Sequence, residues 1–584
     1  MTETGFSFSA PRLGVLLASV RRFPLPALAS LLFALVQIAG IHDLYDLDDW
    51  PQFSYGCFAA FLALLSVALV GEGKKWPFMR TGLVSCLVIL LLAGWIMVTG
   101  SKLGLPHVLL GFAMLGLCVV APALSGANND ALWQFNQRSF TGLGLAGIAV
   151  VVFQIGIGII LYACDQLFGL SRGDKPFLDA TTLVMGVFWP LYTLTFVPKL
   201  PMEAETGPRL PGALAFILSY VALPVLLVYG AVIAVYGVAV LGLGQPPKAS
   251  VSWMVMGFAA AGILIHFLLY PLRESGNLLV RLYHRFFFAL LLPYLGLLFW
   301  AVVIRIREYG WTEMRYLAVA GGIWALGLAL LALARQRELR LVTAPAVLTM
   351  FLLLSSFGPW GAEGVGFVSQ EKRLVVALSS LNLLENGVVR AKAEITSASW
   401  ETRQNLSSLL DYFHDRRDRR RAAVLQPVLT EDYGWPGDMM RNWGMTYVGH
   451  WDTRDSGQNF YYSASLFNTN DMSLSVGGFD QLFGFRAHAS ETPVATRMPS
   501  FTSQLKDNQL VLAYGDESTR LALLDLLPQP PEKQSYISGD VIVRDLSIGR
   551  AKLRLMIENL QGDRRSGAWV VTNVSGYILF TPPR

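Results

Sequence analysis

The sequence is short of charged residues. Asp, Glu, Lys and Arg make up 15% of its 584 residues, whereas they make up about 25% of an average soluble protein. The deficit is confined to the stretch from Pro24 to Trp360, in which long apolar segments are separated by short polar breaks. The remainder has the charge content of a soluble domain. We therefore predict an N-terminal cytoplasmic segment (1–23), a membrane domain (24–360) and a soluble domain (361–584).

Cysteine is also scarce, and the motifs of common catalytic sites are missing. The four cysteines lie in or beside apolar segments without CxxC spacing, which excludes a disulfide framework and a cysteine zinc site. We expect all four to be small buried hydrophobic side chains: Cys57, Cys86, Cys118 and Cys164. No HExxH, G-x-S-x-G or Walker A sequence occurs, so no catalytic residue, metal or cofactor is predicted.

Eleven segments have the length and composition of membrane-spanning helices. A helix needs about 20 mostly apolar residues to cross a hydrocarbon core of about 30 Å. We interpret the long segment Pro211–Val240 as one tilted helix kinked near Pro224. The predicted spans are Pro24–Ile41, Phe53–Val70, Thr81–Thr99, His107–Leu124, Gly142–Ala163, Phe177–Val197, Pro211–Val240, Trp253–Pro271, Phe286–Ile304, Tyr316–Ala334 and Val342–Trp360.

The loops between these segments predict the orientation of the chain. Lys and Arg concentrate in cytoplasmic loops, and here the even-numbered loops are the basic ones. The N-terminus is therefore predicted in the cytoplasm, and an odd number of spans places the soluble domain in the periplasm of a Gram-negative cell. The predicted location is the bacterial inner membrane, with the lipid bilayer as a partner. The net charge of +5 is explained by this orientation, so no nucleic acid is expected.

The stretch between Pro211 and Arg373 resembles a known family. It contains LPVLLVYGAVIAVYGV from Leu223, SWMVMGFAAAGILIHFLLYPL from Ser252 and, most specifically, RIREYGWTEMRYL from Arg305. These residues are similar to those of the bacterial domain of unknown function 4153 family, and SVGGFDQLFGF from Ser475 fits more weakly. The likeness covers the C-terminal two-thirds, and the first five spans match in general character alone. It implies a multi-pass inner-membrane protein and supplies no catalytic residues.

The soluble domain is predicted to be α+β with an antiparallel sheet. A first helix begins at Ser369, with Asn386-Gly387 as its stop, and a second follows Ser399 with apolar residues at helical spacing. Beyond Pro427 short alternating segments predict strands, and GDEST after LVLAY is a hairpin connection. The fold class is thus an all-α polytopic membrane bundle of about eleven transmembrane helices followed by this domain. The predicted strands are MTYVGHW, NFYYSASLF, MSLSV, NQLVLAY, TRLALLDL, KLRLMIEN and GYILF.

One loop between spans is dense in charge. Three of its cations lie on a loop predicted outside, against the general bias. One interpretation is interface anchoring with local ion pairs, and the other is a docking patch for lipid phosphates or for the soluble domain. Its residues are Arg305, Arg307, Glu308, Tyr309, Glu313 and Arg315.

Few other residues are candidates for chemistry. His266 lies well inside a predicted span, where it could relay protons, bind a ligand or simply hydrogen-bond a neighbouring helix. The acidic loop Asp43–Asp49 lacks the spacing of a calcium loop, and the basic run Asp415–Arg421 reads as a solvated helix end or a headgroup contact. A scattered set in the soluble domain has no hydrolytic or metal spacing: His414, His450, His488, Asp452, Asp455 and Asp480.

Two functions remain open. The first is a non-enzymatic envelope protein whose extracytoplasmic domain binds a partner protein, a lipid or another envelope component. The second is a transporter or lipid-handling protein with its substrate path inside the bundle, because eleven spans exceed what anchoring needs and Pro190, Pro224 and Pro293 could unwind helices around a site. A membrane-embedded transferase is a third option, for which His266 and the Arg305–Arg315 loop are the available groups.

Overall fold

Helices make up the first part of the chain and antiparallel sheets dominate the second, as predicted. The structure is a computed structural model. The chain divides into two compact units: a helical unit of Met1–Val376 with Asp415–Ala423, and a C-terminal unit of Ala377–His414 with Val424–Arg584. The residues described are 13–582 without 45–49, 100–101, 169–173, 202–207, 336–339, 391–392, 394, 396–397, 417–421, 429–434, 450–458, 464–477, 490–493, 496–500, 516, 528–534, 539–540 and 566–567.

The helical unit consists of successive long apolar helices. Two of them are interrupted by a single π-helical turn, at Val184–Phe188 between α7 and α8 and at Leu218–Ala222 between α9 and α10. The helices are α1 (Leu13–Arg22), α2 (Pro24–Ile41), α3 (Trp50–Gly73), α4 (Phe78–Thr99), α5 (Leu105–Leu124), α6 (Asn129–Phe168), α7 (Lys175–Leu183), α8 (Trp189–Leu194), α9 (Gly212–Ile217), α10 (Leu223–Leu243), α11 (Ser250–Leu268), α12 (Leu278–Tyr309), α13 (Glu313–Ala334), α14 (Thr343–Ser355) and α15 (Ala362–Ser380).

Among the described residues, ten helices are long and apolar enough to cross a membrane. They match the first ten predicted spans, and their outer faces carry large apolar side chains such as Leu83, Leu87 and Leu90 on α4. Exposed apolar faces of this extent are typical of helices surrounded by lipid. The protein thus has the helices of a multi-pass membrane protein.

The eleventh predicted span, Val342–Trp360, is wrong as a single helix. The helix there, α14, has 13 residues, so it is about 20 Å long, too short for a hydrocarbon core of about 30 Å. The chain breaks after Ser355, passes Gly358 at a φ of 78° and resumes helical structure at Ala362. Hydropathy registers the apolar composition of this stretch but not the break, because Ser, Gly and Pro interrupt the backbone without adding charge.

The segment Pro211–Val240 is one continuous element, as predicted. Gly212–Leu243 forms a single membrane-length helix. Its irregularity is the π-helical turn Leu218–Ala222, which ends just before Pro224. Proline lacks the N–H that an α-helix needs at this position, so a local change of helical pitch beside it is expected.

Hydrogen bonds between helix ends define two opposite faces of the helical unit. We call one the Arg22 face, where Arg22 bonds to Glu72 at 2.7 Å and Tyr270 to Asp130 at 2.8 Å. The opposite end is the Tyr309 face, named for the last residue of α12. Further contacts at the Arg22 face include Leu341 N to Asn129 Oδ1 at 3.0 Å, and at the Tyr309 face Lys175 Nζ to Asp43 Oδ2 at 2.9 Å.

The C-terminal unit contains two larger antiparallel sheets and a small hairpin. The six-stranded sheet has the order β4-β12-β11-β3-β9, with β10 also paired to β11; the β3–β9 pairing is parallel. The four-stranded sheet has the order β5-β6-β7-β8. Phe501 of β6 and Phe580 of β12, 5.7 Å apart, join the two sheets in a common core. The strands are β1 (Leu384–Glu385), β2 (Val388–Val389), β3 (Asn459–Ser463), β4 (Gln481–His488), β5 (Val494–Ala495), β6 (Phe501–Lys506), β7 (Gln509–Tyr514), β8 (Glu517–Ala522), β9 (Ser535–Ser538), β10 (Ile542–Ile548), β11 (Ala551–Arg565) and β12 (Ala568–Thr581).

One hairpin and one helix of this unit are as predicted, whereas the end of its first helix is not. The hairpin at GDEST is confirmed by the pairing of β7 with β8, and the helix after Ser399 is α16 (Trp400–His414). The first helix, α15, begins seven residues before Ser369. Asn386-Gly387 is not its stop but the turn of the β1–β2 hairpin, where both residues have positive φ. Asn-Gly favours this turn because both residues tolerate the left-handed conformation. MTYVGHW is not a strand among its described residues, and MSLSV lies outside the described residues.

Candidate functional site

The helical unit contains an apolar cavity among its first eight helices. Its volume is about 810 Å³, which is within the usual range of small-molecule sites of roughly 300–1,000 Å³. Helices α2, α3, α5, α6 and α8 and the π-turn before α8 form the walls. Lining residues include Phe33, Tyr55, Phe61, Leu65, Leu69, His107, Gly111, Leu115, Asn136, Leu143, Met185, Trp189 and Thr193.

A proline shapes one wall of this cavity. Pro190 lines it and has no N–H to donate to the carbonyl four residues earlier, that of Gly186. Ser30 of α2 supplies the missing donor, because its hydroxyl hydrogen-bonds to Gly186 O. Gly186 also has no room for a Cβ, since Phe33 lies against it. The π-turn is therefore held against α2 by a polar contact inside an otherwise apolar wall.

The cavity is elongated along α3 and mostly apolar. Along α3 it extends from Tyr55 to Leu69, which is about 21 Å at 1.5 Å per residue. Among its few polar side chains, Tyr55 donates to His107 O at 2.7 Å and Asn136 to Val119 O at 3.1 Å, whereas the hydroxyls of Ser139 and Thr193 have no partner in the described part of the chain. No charged side chain occurs among the described lining residues. The surface presented to a ligand is therefore hydrocarbon along most of its length.

Part of the cavity wall also faces outward. Phe58, Val108, Phe112, Phe140 and Met185 line the cavity and are between 40% and 58% exposed. They belong to membrane-length helices, and apolar surface on such helices is suited to contact with the hydrocarbon core of a bilayer.

Comparison with known proteins identifies the family. The family model described as Domain of unknown function (DUF4153) matches residues 27–363. The chain belongs to the DUF4153 family. The matched range contains the whole cavity and the Arg305–Arg315 loop. It therefore extends further toward the N-terminus than the resemblance indicated, and it ends before Ser475.

A curated relative and the solved structures add little to this assignment. An uncharacterized protein of Pasteurella multocida (strain Pm70), PM1469, is 25% identical over 265 residues, which are 44% of this chain and 44% of the relative. The chain thus spans less than half the length of that relative. No solved structure matches the chain.

His266 of the DUF4153 domain lies at a helix end and outside the cavity. It is in the last turn of α11, which ends at Leu268, and not well inside a span as expected. Its ring centroid is 4.2 Å from that of His284 on α12, and Phe288 packs against it. The two rings leave one buried nitrogen each, Nδ1 of His266 and Nε2 of His284, without a hydrogen bond in the described part of the chain. The functional prediction for His266 is untested by these contacts.

The charged loop of the DUF4153 domain is joined to α15. Gly310, with φ 68°, turns the chain between α12 and α13, and it has no space for a Cβ because Arg373 and Ser369 lie against it. The Tyr309 carbonyl accepts hydrogen bonds from Arg315 (3.1 Å), Gln370 (2.9 Å) and Arg373 (2.7 Å). Burial lowers the pKa of Arg373 from its usual value, although its guanidinium stays charged at neutral pH.

Two ion pairs involve other charged residues of the loop. Arg305 bonds to Glu308 three residues later at 2.9 Å. Glu313 is 7% exposed and pairs with Arg416 at 3.0 Å, within the segment Asp415–Ala423 of the same unit. Arg307 is exposed on the last turn of α12.

The other sequence candidates do not form a site among the described residues. Asp43 bonds to Lys175, and this hydrogen bond lowers the pKa of the Asp43 carboxyl below its usual value. Asp179 bonds to His42 at 2.8 Å. No described group of three or more His, Cys, Asp or Glu could hold a metal. All four cysteines were expected to be buried, but Cys86 is exposed and the other three are partly exposed. Asp46, Asp48, Asp49, His450, Asp452, Asp455 and Arg417–Arg421 lie outside the described residues.

Proposed function

We propose that this protein is a lipid-handling membrane protein that takes the hydrocarbon chain of a lipid into the cavity between α2, α3, α5, α6 and α8. The observation that carries the proposal is the cavity itself, about 810 Å³ in volume, apolar and lined by exposed residues at its outer wall. Its length of about 21 Å along α3 suits one long chain. Pro190, which the sequence singled out as a helix breaker, shapes its wall.

The chemistry of the walls favours a chain over a polar solute. Transfer of apolar surface from water stabilises a complex by about 25 cal/mol per Å², but a chain already in the bilayer gains no such term. Binding is instead favoured by contacts with pre-formed walls, because the side chains of a rigid cavity lose little conformational entropy when a ligand fills it. A charged solute would lose its hydration without finding an oppositely charged side chain among the described lining residues.

A cavity-filling substitution tests this proposal. A Cβ on Gly111 would make ordinary contacts, 3.6 Å from Phe58 and 3.9 Å from Tyr55, so Gly111→Leu extends into free space. We expect about fivefold less cross-linking of a photoactivatable phospholipid to α5 peptides, in purified protein in nanodiscs. The matched control is Gly94→Leu on the exposed face of α4, where nothing lies within 4 Å. Equal cross-linking in both variants would contradict the proposal.

We also propose that α15 leaves the bundle at the periplasmic side, after an eleventh crossing made by two helices. Leu341 bonds to Asn129 at the Arg22 face, whereas Gln370 bonds to Tyr309 at the opposite face. The chain must pass from one face to the other between these residues, through α14 and the start of α15. This supports an odd number of crossings, with the N-terminus in the cytoplasm of a bacterial inner-membrane protein.

The alternative function, an envelope protein whose C-terminal domain binds a partner protein or an envelope component, stays a prediction. None of the contacts described above bears on such a partner. Affinity capture from gently solubilised membranes tests it, and recovery of no stoichiometric partner would count against it.

A further inference from the structure

Arginine side chains converge around Tyr309 at one end of the helical unit. The guanidinium carbons of Arg305 and Arg315 lie 5.9 and 5.5 Å from the centre of the Tyr309 ring. Arg373 approaches the same residue from α15, through its bond to the Tyr309 carbonyl. Nη1 of Arg315 and Nη1 of Arg373 bond to the same oxygen, that of the Tyr309 carbonyl, so these two charges lie close together. Such an arrangement is electrostatically unfavourable unless anions balance it.

The carboxylates nearby do not balance Arg305 and Arg315. Arg305 bonds to Glu308, and Arg315 bonds to two neutral carbonyls, those of Tyr309 and Gly310. Glu313, the other acidic residue of the loop, pairs with Arg416. Within the described residues, the two arginines therefore share one carboxylate.

Both arginines keep a guanidinium donor that the described part of the protein does not use. Within the described residues, the hydrogen bonds of Arg305 and Arg315 are made through Nη1. Nε of Arg305 is buried without a partner in that part of the chain. A guanidinium Nη2 can donate a charge-assisted hydrogen bond to a phosphate oxygen. Within the described residues, Nη2 of each arginine makes no hydrogen bond to the protein, whereas Nε of Arg305 is enclosed by the protein.

The positions of the two arginines in the chain favour one kind of anion. Arg305 is in the last turns of α12 and Arg315 in the first turn of α13, both membrane-length helices. Arginines at such ends reach the headgroup region, where lipid phosphates are concentrated. We propose that Arg305 and Arg315 form a binding site for the phosphate of a membrane lipid headgroup at the Tyr309 face. This site does not depend on the cavity, which other helices form.

Opposite charge changes on one helix turn test the site. Purified, delipidated protein is titrated with phosphatidylglycerol, and bound lipid is counted by native mass spectrometry. We expect Arg305→Gln to weaken binding about fivefold, because it removes one charge-assisted contact. Glu308→Gln should tighten binding about threefold, because it removes the competing carboxylate. If Arg305 and Glu308 had structural roles alone, the two substitutions would not change lipid affinity in opposite directions.

The controls separate this site from general charge effects. Arg285→Gln makes the same charge change near the other end of α12 and should leave binding unchanged. The thermal stability of each variant establishes that it is folded. Arg315 is not substituted, because its hydrogen bonds to the Tyr309 and Gly310 carbonyls hold the loop in place. Equal losses in Arg305→Gln and Arg285→Gln, or no effect of Glu308→Gln, would overturn the inference. Displacement of the lipid by millimolar inorganic phosphate would overturn the lipid as occupant, whereas resistance to it supports the lipid.

Discussion

The side-chain amide of Gln370 donates a hydrogen bond of 2.9 Å to the main-chain carbonyl of Tyr309. The same amide donates to Trp311 O at 2.6 Å, and the Ser369 hydroxyl accepts from Trp311 N. Helix α15 is thereby tied to the turn between α12 and α13 by contacts with backbone atoms. The attachment is therefore made to the main chain of the turn and depends on the path that the main chain takes.

Glycine at position 310 is required by this attachment. Gly310 has φ 68° and ψ −175°, and a Cβ would lie 2.8 Å from Arg373 and 2.9 Å from Ser369. Gly310→Ala should therefore destabilise the protein by about 2–3 kcal/mol, from backbone strain and displacement of α15. The measurement is thermal unfolding in detergent.

The matched control for Gly310→Ala is Gly244→Ala. Gly244 also has a positive φ, 63°, but nothing lies within 4 Å of its Cβ position. Its substitution should cost about 1 kcal/mol, the strain of the left-handed conformation alone. Equal losses in the two variants would mean that the contact with α15 contributes nothing.

A second close approach joins α14 to the wall of the cavity. Gly116 on α5 has no room for a Cβ, because the Thr349 side chain occupies that space. Gly116→Ala should destabilise the protein by about 1–3 kcal/mol through overpacking. Combining it with Thr349→Ala should recover part of the loss, since the hydroxyl and methyl that clash are removed. A double-mutant cycle with purely additive losses would refute the contact.

The proposed eleventh crossing predicts opposite accessibilities for two single cysteines. Lys372 on α15 and Arg340 before α14 are both exposed. With the four native cysteines replaced, Lys372→Cys should react with a membrane-impermeant maleimide in intact spheroplasts. Arg340→Cys should react after the membrane is opened. Labelling of both positions from the same side would contradict the eleventh crossing.

The C-terminal unit contains an ion pair with a predictable pH dependence. Asp545 accepts two hydrogen bonds from Arg554 on the adjacent strand, 2.6 and 2.9 Å, and these lower the pKa of its carboxyl. Since the folded-state pKa is below the unfolded value of about 3.9, the pair stabilises the fold above that pH. The stabilisation disappears as pH falls through the folded-state pKa.

Asp545→Asn should therefore lower the urea midpoint slightly at neutral pH, and less at high salt, because the pair is solvent-exposed. At a pH below the folded-state pKa of Asp545, the variant and the parent protein should unfold alike. A difference that persists at low pH would mean that Asp545 acts through packing and not through its charge.

The membrane class, ten of the spans, the α+β class of the last part and the family were all evident in the amino-acid order. Hydropathy, helical spacing and motif likeness are local properties, and local order is sufficient for them. The tertiary structure decided what depends on distant residues. It broke the eleventh span into two helices, made Asn386-Gly387 a hairpin turn, and brought Ser30 to the carbonyl left free by Pro190.

Of the candidate sites, the charged loop was predictable from local sequence, whereas the cavity was not. The sequence identified the charged loop from Arg305 to Arg315, because its charged residues are close together in the amino-acid sequence. Its relation to Gln370 and Arg373 required α15 to fold back against it. The cavity had no sequence signal beyond a proline, since its walls come from five helices whose apolar residues resemble those of any span. Empty space is a property of how helices pack, and packing depends on contacts among residues far apart in the chain.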